Sequence, residues 1–120
     1  MRKLMTRHFS KWATKQSILS EELARALEEV KDGSFEANLG SHIIKKRIRF
    51  PGKGKSGSGR TIICYQREDR AIFIHGFAKN EKSNLTPKEL NGFKEIAKIL
   101  LGLSLEELNI AINNGDLMEV

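Results

Sequence analysis

The 120-residue chain carries 21 Lys or Arg against 15 Asp or Glu, a formal net charge of +6, with 39% apolar residues and one cysteine. That length can bury a core without metal or disulfide support, and a lone cysteine excludes an intrachain disulfide framework. No stretch approaches a membrane span, and the basic opening Met1-Arg2-Lys3-Leu4-Met5-Thr6-Arg7-His8 leads into no apolar signal core, which predicts a soluble cytoplasmic protein.

The positive charge is concentrated. Lys45, Lys46, Arg47, Arg49, Lys53, Lys55, Arg60 and Arg67 fall between Ala37 and Arg67, a window with no Asp or Glu. With those eight set aside, 13 of the 21 basic residues remain against 15 acids. Such asymmetry describes a site for a polyanion, and nucleic acid is the commonest one.

Leu4 to Thr6 predicts a short strand, after which Phe9, Trp12 and Ala13 fall at helical spacing. Ser20-Glu21-Glu22 offers an N-cap followed by acids suited to the positive end of a helix dipole. Leu23, Ala26, Leu27 and Val30 form the apolar stripe behind it, and Asp32-Gly33 ends it.

From Ile43 the period changes to alternation. Ile44, Ile48 and Phe50 share one face, interrupted by Lys46, while Lys45, Arg47 and Arg49 share the other. Four glycines between Pro51 and Gly59 predict a mobile loop. Arg60 to Gln66 and Arg70 to Ala78 read as two strands joined by a tight turn at Glu68-Asp69. Their continuous apolar character puts them mid-sheet.

Thr86-Pro87-Lys88-Glu89 is a capping box with proline at the first helical position, and Leu90, Phe93, Ile96, Ala97 and Leu100 follow before the stop at Gly102. Ser104-Leu105-Glu106-Glu107 repeats the box and starts a helix ending at Asn114-Gly115. The tail from Asp116 is too short to classify. The order predicts one α+β domain over residues 1–120, a small antiparallel sheet with helices on one face and the cationic strand face left free.

Gly52-Lys53-Gly54-Lys55-Ser56-Gly57 matches a dinucleotide fingerprint in letters alone, since a strand rather than a helix follows it. Gly54-Lys55-Ser56 likewise lacks the first glycine of a nucleotide-triphosphate loop, because Arg49 stands there. What remains is a glycine loop carrying two lysines, suited to a phosphate backbone. His8, His42 and His75 lie in different elements without ligand spacing, so no metal site is predicted. His75 shares an alternating face with Phe73 and Phe77 and reads as a packed or site-rim histidine. Cys64, within Thr61-Ile62-Ile63-Cys64-Tyr65, reads as a small core residue.

A metal-dependent nuclease needs clustered carboxylates, and the basic window has none. Phosphodiester chemistry there must therefore be metal-free, and RNA cleavage is feasible on those terms: the ribose 2′-hydroxyl is the nucleophile, and converging cations can help remove its proton, stabilise the phosphorane and assist the leaving oxygen. RNA is the substrate such chemistry implies.

Two motifs, Lys55-Ser56-Gly57-Ser58-Gly59-Arg60 and Gly76-Phe77-Ala78-Lys79-Asn80-Glu81-Lys82, resemble the RelE/HigB-like toxins of bacterial type II toxin–antitoxin systems. The likeness covers most of the chain and is strongest from Lys45 to Phe93. It implies a ribosome-dependent mRNA endonuclease that needs neither metal nor cofactor, and a cognate antitoxin, usually a small helix-turn-helix protein. By the same resemblance Arg60 corresponds to the arginine that contacts the scissile phosphate. Lys53 and Lys55 lie where such toxins carry catalytic lysines, and Lys79 and Lys82 flank Asn80, where the prototype has an arginine assisting the leaving group. Lys45, Arg47, Arg49 and Asn80 are then assigned to hold RNA. The prototype's base-stacking tyrosine has no counterpart, since Leu85 and Thr86 occupy that stretch. Two other readings remain open: a toxin of the related ParE type acting on DNA gyrase, and a non-catalytic RNA-binding module.

Overall fold

Local signals in the chain account for most of its helix boundaries. In the computed structural model, which describes residues 1–51, 57–79 and 84–120, strand β1 (Arg2–Thr6) runs directly into helix α1 (Arg7–Lys15). The Thr6 hydroxyl accepts from the Phe9 amide and caps that helix. Helix α2 (Ser20–Lys31) starts one residue earlier than its capping pattern predicts. Leu19 is the flanking residue, no side chain caps the end, and Glu21 and Glu22 supply only their charge. Helices α3 (Pro87–Leu101) and α4 (Leu105–Asn113) both carry the predicted capping boxes, Thr86 with Glu89 and Ser104 with Glu107.

The remaining strands are β2 (Ala37–Gly40), β3 (Ile43–Arg49), β4 (Ser58–Gln66), β5 (Arg70–Ala78) and β6 (Leu117–Glu119). They form a six-stranded sheet in the order β2-β3-β4-β5-β1-β6. Only the β1–β5 pair is parallel, with Leu4 opposite Ile72. The α+β class and the largely antiparallel sheet agree with the sequence reading. Strands β2 and β6 lay outside it, because Ala37-Asn38-Leu39-Gly40 and Leu117-Met118-Glu119 are too short and too mixed to show a period.

The placement of the helices on one face is corrected. Helices α1 and α2 cover one face, where Phe9, Leu23, Leu27, Ile44, Ile48, Ile63 and Phe73 pack together. Helices α3 and α4 cover the other, over Leu4, Ile43, Ile62, Cys64, Ile72, Ile74 and Phe77. The unbroken apolar runs of β4 and β5 already require this, since a strand apolar on both sides must be covered on both.

Two buried cations tie helices to the sheet. Lys46 lies on the α2 side, where its Nζ is 2.9 Å from the Glu29 carboxylate and donates to the Ser34 carbonyl at 3.0 Å. The interruption in the β3 alternation is thus a helix anchor. Arg70 donates from Nη1 to the carbonyls of Leu100 and Leu103 at 3.0 and 2.7 Å, adding a charged donor at the C-terminal end of α3.

Candidate functional site

Register brings the basic residues together. With Lys45, Arg47 and Arg49 on the β3 face away from α2, the β3–β4 pairing sets Arg47 opposite Arg60, Lys45 opposite Ile62 and Arg49 opposite Ser58. The β4–β5 pairing then sets Phe77 opposite Arg60 and His75 opposite Ile62. A transverse row Arg47, Arg60, Phe77 therefore crosses the sheet, with the row Lys45, Ile62, His75 beside it.

Like charges directly opposite one another on neighbouring strands are destabilising. Part of that repulsion is met from outside the window. Glu36, just before β2, places its Oε2 2.7 Å from Arg60 Nε and 3.8 Å from Lys45 Nζ. The acid-free window of the sequence is therefore not acid-free in space, because Glu29 reaches Lys46 and Glu36 reaches Arg60. The Arg60 side chain is 10% exposed. Lys45 also donates to the Asn84 side chain at 3.2 Å, which brings the segment before α3 to the edge of the site.

Arg47 and Arg49 are exposed and have no ion-pair partner among the described residues. Lys79, just after β5, is exposed too, and its backbone amide donates to the Ser58 carbonyl at 3.2 Å. Arg47, Arg49 and Ser58 further line a cleft of about 710 Å³ that extends to Arg25 and Glu29 on α2. The other residues assigned from sequence, Lys53, Lys55, Asn80 and Lys82, lie outside the described residues.

The motif glycines have a packing reason. A methyl group on Gly76 would enter the Trp12 ring, and one on Gly59 would meet the Phe50 ring at 2.8 Å and the Phe77 carbonyl at 2.9 Å. Trp12 is half-buried and packs between Phe9 and Phe50. These close approaches let α1 lie flat over the strand ends that carry Arg60 and Phe77.

One feature escaped the sequence. The β4–β5 register shifts between Ile62 and Ile63, so Ile74 is an extra residue on β5. Phe73 accordingly packs beneath α1 and Phe77 on the opposite face, which corrects the shared face inferred for them with His75. His75 turns toward α3, its ring 4.9 Å from Phe93, and its Nδ1 lies 3.1 Å from Nε2 of His8.

The model of the family described as "RelE toxin of RelE / RelB toxin-antitoxin system" matches residues 1–120. The chain belongs to the RelE toxin family. This RelE-family protein is thus the toxin of a toxin–antitoxin system, and an antitoxin is its partner. A search of curated proteins found no match. Among the described residues of this RelE-type chain, no helix is long and apolar enough to cross a membrane.

Proposed function

We propose that this RelE-family toxin is a ribosome-dependent, metal-independent endoribonuclease that cuts mRNA in the cytoplasm and so arrests translation. The observation that carries the reading is the apposition of Arg47 and Arg60. Two arginines directly opposite on neighbouring strands repel, Glu36 offsets only part of the cost, and RNA phosphates bound along the row would offset more.

Cleavage at such a site asks little else of the protein. The substrate supplies its own nucleophile, the 2′-hydroxyl, and the protein must align it and stabilise charge on the phosphorane. Arg60 takes the phosphorane, Lys53 or Lys55 stands near the nucleophile, and Lys79 or Lys82 near the leaving oxygen. Lys45, Arg47, Arg49 and Asn80 hold ribosomal or messenger RNA through salt-sensitive contacts. No cofactor is needed for this chemistry. Dependence on the ribosome, and a helix-turn-helix antitoxin as the partner, follow from the resemblance of the two motifs to RelE/HigB-like toxins.

The test is to incubate the protein with a defined mRNA, free and on programmed ribosomes, and to map new ends. New 5′-hydroxyl ends only on the ribosome are expected. Induced DNA damage without such ends would favour action on gyrase, and salt-sensitive RNA affinity without product would favour a binding module.

A further inference from the structure

His8 and His75 come from the two ends of a chain segment that the sequence gives no reason to join. His8 opens α1 and His75 lies on β5, yet their rings stack at 5.3 Å between centroids and 6° between planes, with Nε2 of His8 3.1 Å from Nδ1 of His75. The site around His75 is built. Phe93 of α3 lies 4.9 Å from its ring and Phe77 6.3 Å, so the imidazole is held between aromatic walls.

Strand register places this ring. The pairing runs unbroken from Arg60 opposite Phe77 to Ile62 opposite His75, so His75 stands on the Arg60 face two residues before Phe77. The extra residue Ile74 then sends Phe73 to the α1 side, so that His75 and Phe77 share their face without it. From Arg60, His75 is a diagonal cross-strand neighbour, a relationship of about 7–8 Å. That separation suits two groups acting on one phosphodiester, one at phosphorus and one at a bridging oxygen.

We infer that the His8–His75 pair is the proton donor to the 5′ leaving oxygen in the RNA cleavage proposed above, with His75 as the catalytic acid and His8 as its positioning residue. The inference rests on that reading of the function. An N···N hydrogen bond between imidazoles needs a proton on one nitrogen and a lone pair on the other, which a neutral pair and a pair carrying one extra proton both satisfy. The form that carries the extra proton is the acid in this step. As the 2′-oxygen bonds to phosphorus and the bond to the 5′-oxygen breaks, the 2′-hydroxyl proton passes to solvent. The departing oxygen takes a proton from His75 Nε2 while His75 Nδ1 takes the shared proton from His8. The products are a 2′,3′-cyclic phosphate and a 5′-hydroxyl, and both histidines end neutral. Charged groups bordering the pair are Lys11 one turn along α1, Arg60 on β4, Lys45 beyond Ile62 on β3, and Glu89 one turn before Phe93 on α3.

The experiment uses ribosomes programmed with mRNA that carries sulfur in place of the 5′ bridging oxygen at the cut mapped for the wild-type protein. A thiolate leaves without a proton. His75→Gln is expected to slow cleavage of ordinary mRNA by at least about 100-fold and to restore near wild-type rate on the sulfur substrate. His8→Gln, a change at the exposed partner, is expected to give a smaller loss with a displaced pH–rate profile and the same rescue. Equal losses on both substrates, or no loss on ordinary mRNA, would overturn the assignment while leaving the nuclease reading in place. No cleavage of either substrate by the wild-type protein would remove both.

Discussion

The Glu36 carboxylate lies 2.7 Å from the Nε of Arg60, so the arginine at the centre of the cationic row is held by an acid from outside it. Any phosphate that reaches Arg60 competes with this carboxylate. Glu36→Gln removes the competitor and one negative charge from the site. RNA binding by this variant should be tighter at low salt and fall more steeply with salt, by about one unit of log–log slope. Titration with a labelled oligoribonucleotide across ionic strengths measures it, and an unchanged slope would show that Glu36 has no part in RNA contact. The change in stability should stay within about 1 kcal/mol, since the carboxylate is partly solvated.

Arg47 and Arg49 are assigned to grip rather than to chemistry. Replacing both by alanine should raise KM on programmed ribosomes with little change in kcat, and lower the salt slope by about two units. A fall in kcat at unchanged KM would move one of them to the reacting phosphate.

Gly76→Ala pushes a methyl group into Trp12, a ring packed between Phe9 and Phe50. The cost expected from overpacking is about 1–3 kcal/mol. Urea denaturation measures it, and pairing the change with Trp12→Leu should recover part of the loss, because the two residues share one space. Additive losses would show that the contact is not the cause.

Arg70 closes the C-terminal end of α3 through the carbonyls of Leu100 and Leu103. Arg70→Met keeps much of the stem but leaves the Leu103 carbonyl without this donor, while Leu100 keeps its backbone partner, at a cost of about 1–3 kcal/mol. Hydrogen exchange should rise first in α3 and α4. Uniform loosening of the whole sheet would contradict this local role.

Burial pushes the Cys64 thiol up to about 12, against 9.0 for the free group. The folded state keeps this proton at pH values where the unfolded chain has lost it, so the contribution to stability is full below pH 9 and is lost as pH rises toward 12. Cys64→Ala should flatten the decline on that alkaline limb. In the native protein the thiol should resist alkylation at pH 8 and react only after denaturant is added. Rapid labelling without denaturant would place Cys64 outside the core.

Much of this architecture is written locally. The capping boxes at Thr86 and Ser104 set the start of α3 and α4, and the alternation from Ile43 to Phe50 gives β3 its two faces. What the sequence hides depends on register and distance along the chain. The Ile74 bulge changes no local propensity, yet it sends Phe73 to the face opposite Phe77 and His75. Glu36 falls one residue outside the acid-free window and reaches its centre across the β2–β3 pairing. Lys46 reads as an error in a strand pattern until Glu29 and Ser34 are found beside it. The cover on both faces was legible in the unbroken apolar runs of β4 and β5, which mark burial on two sides as well as a central position.

The central claim is that Arg60 stabilises a phosphorane formed on ribosome-bound mRNA. Single-turnover cleavage on programmed ribosomes, comparing wild type with Arg60→Ala and with circular dichroism confirming that both are folded, tests it most directly. Cuts by the wild-type protein on the ribosome and at least about a 100-fold loss in the variant are expected. A folded Arg60→Ala protein that cuts at the wild-type rate would contradict it.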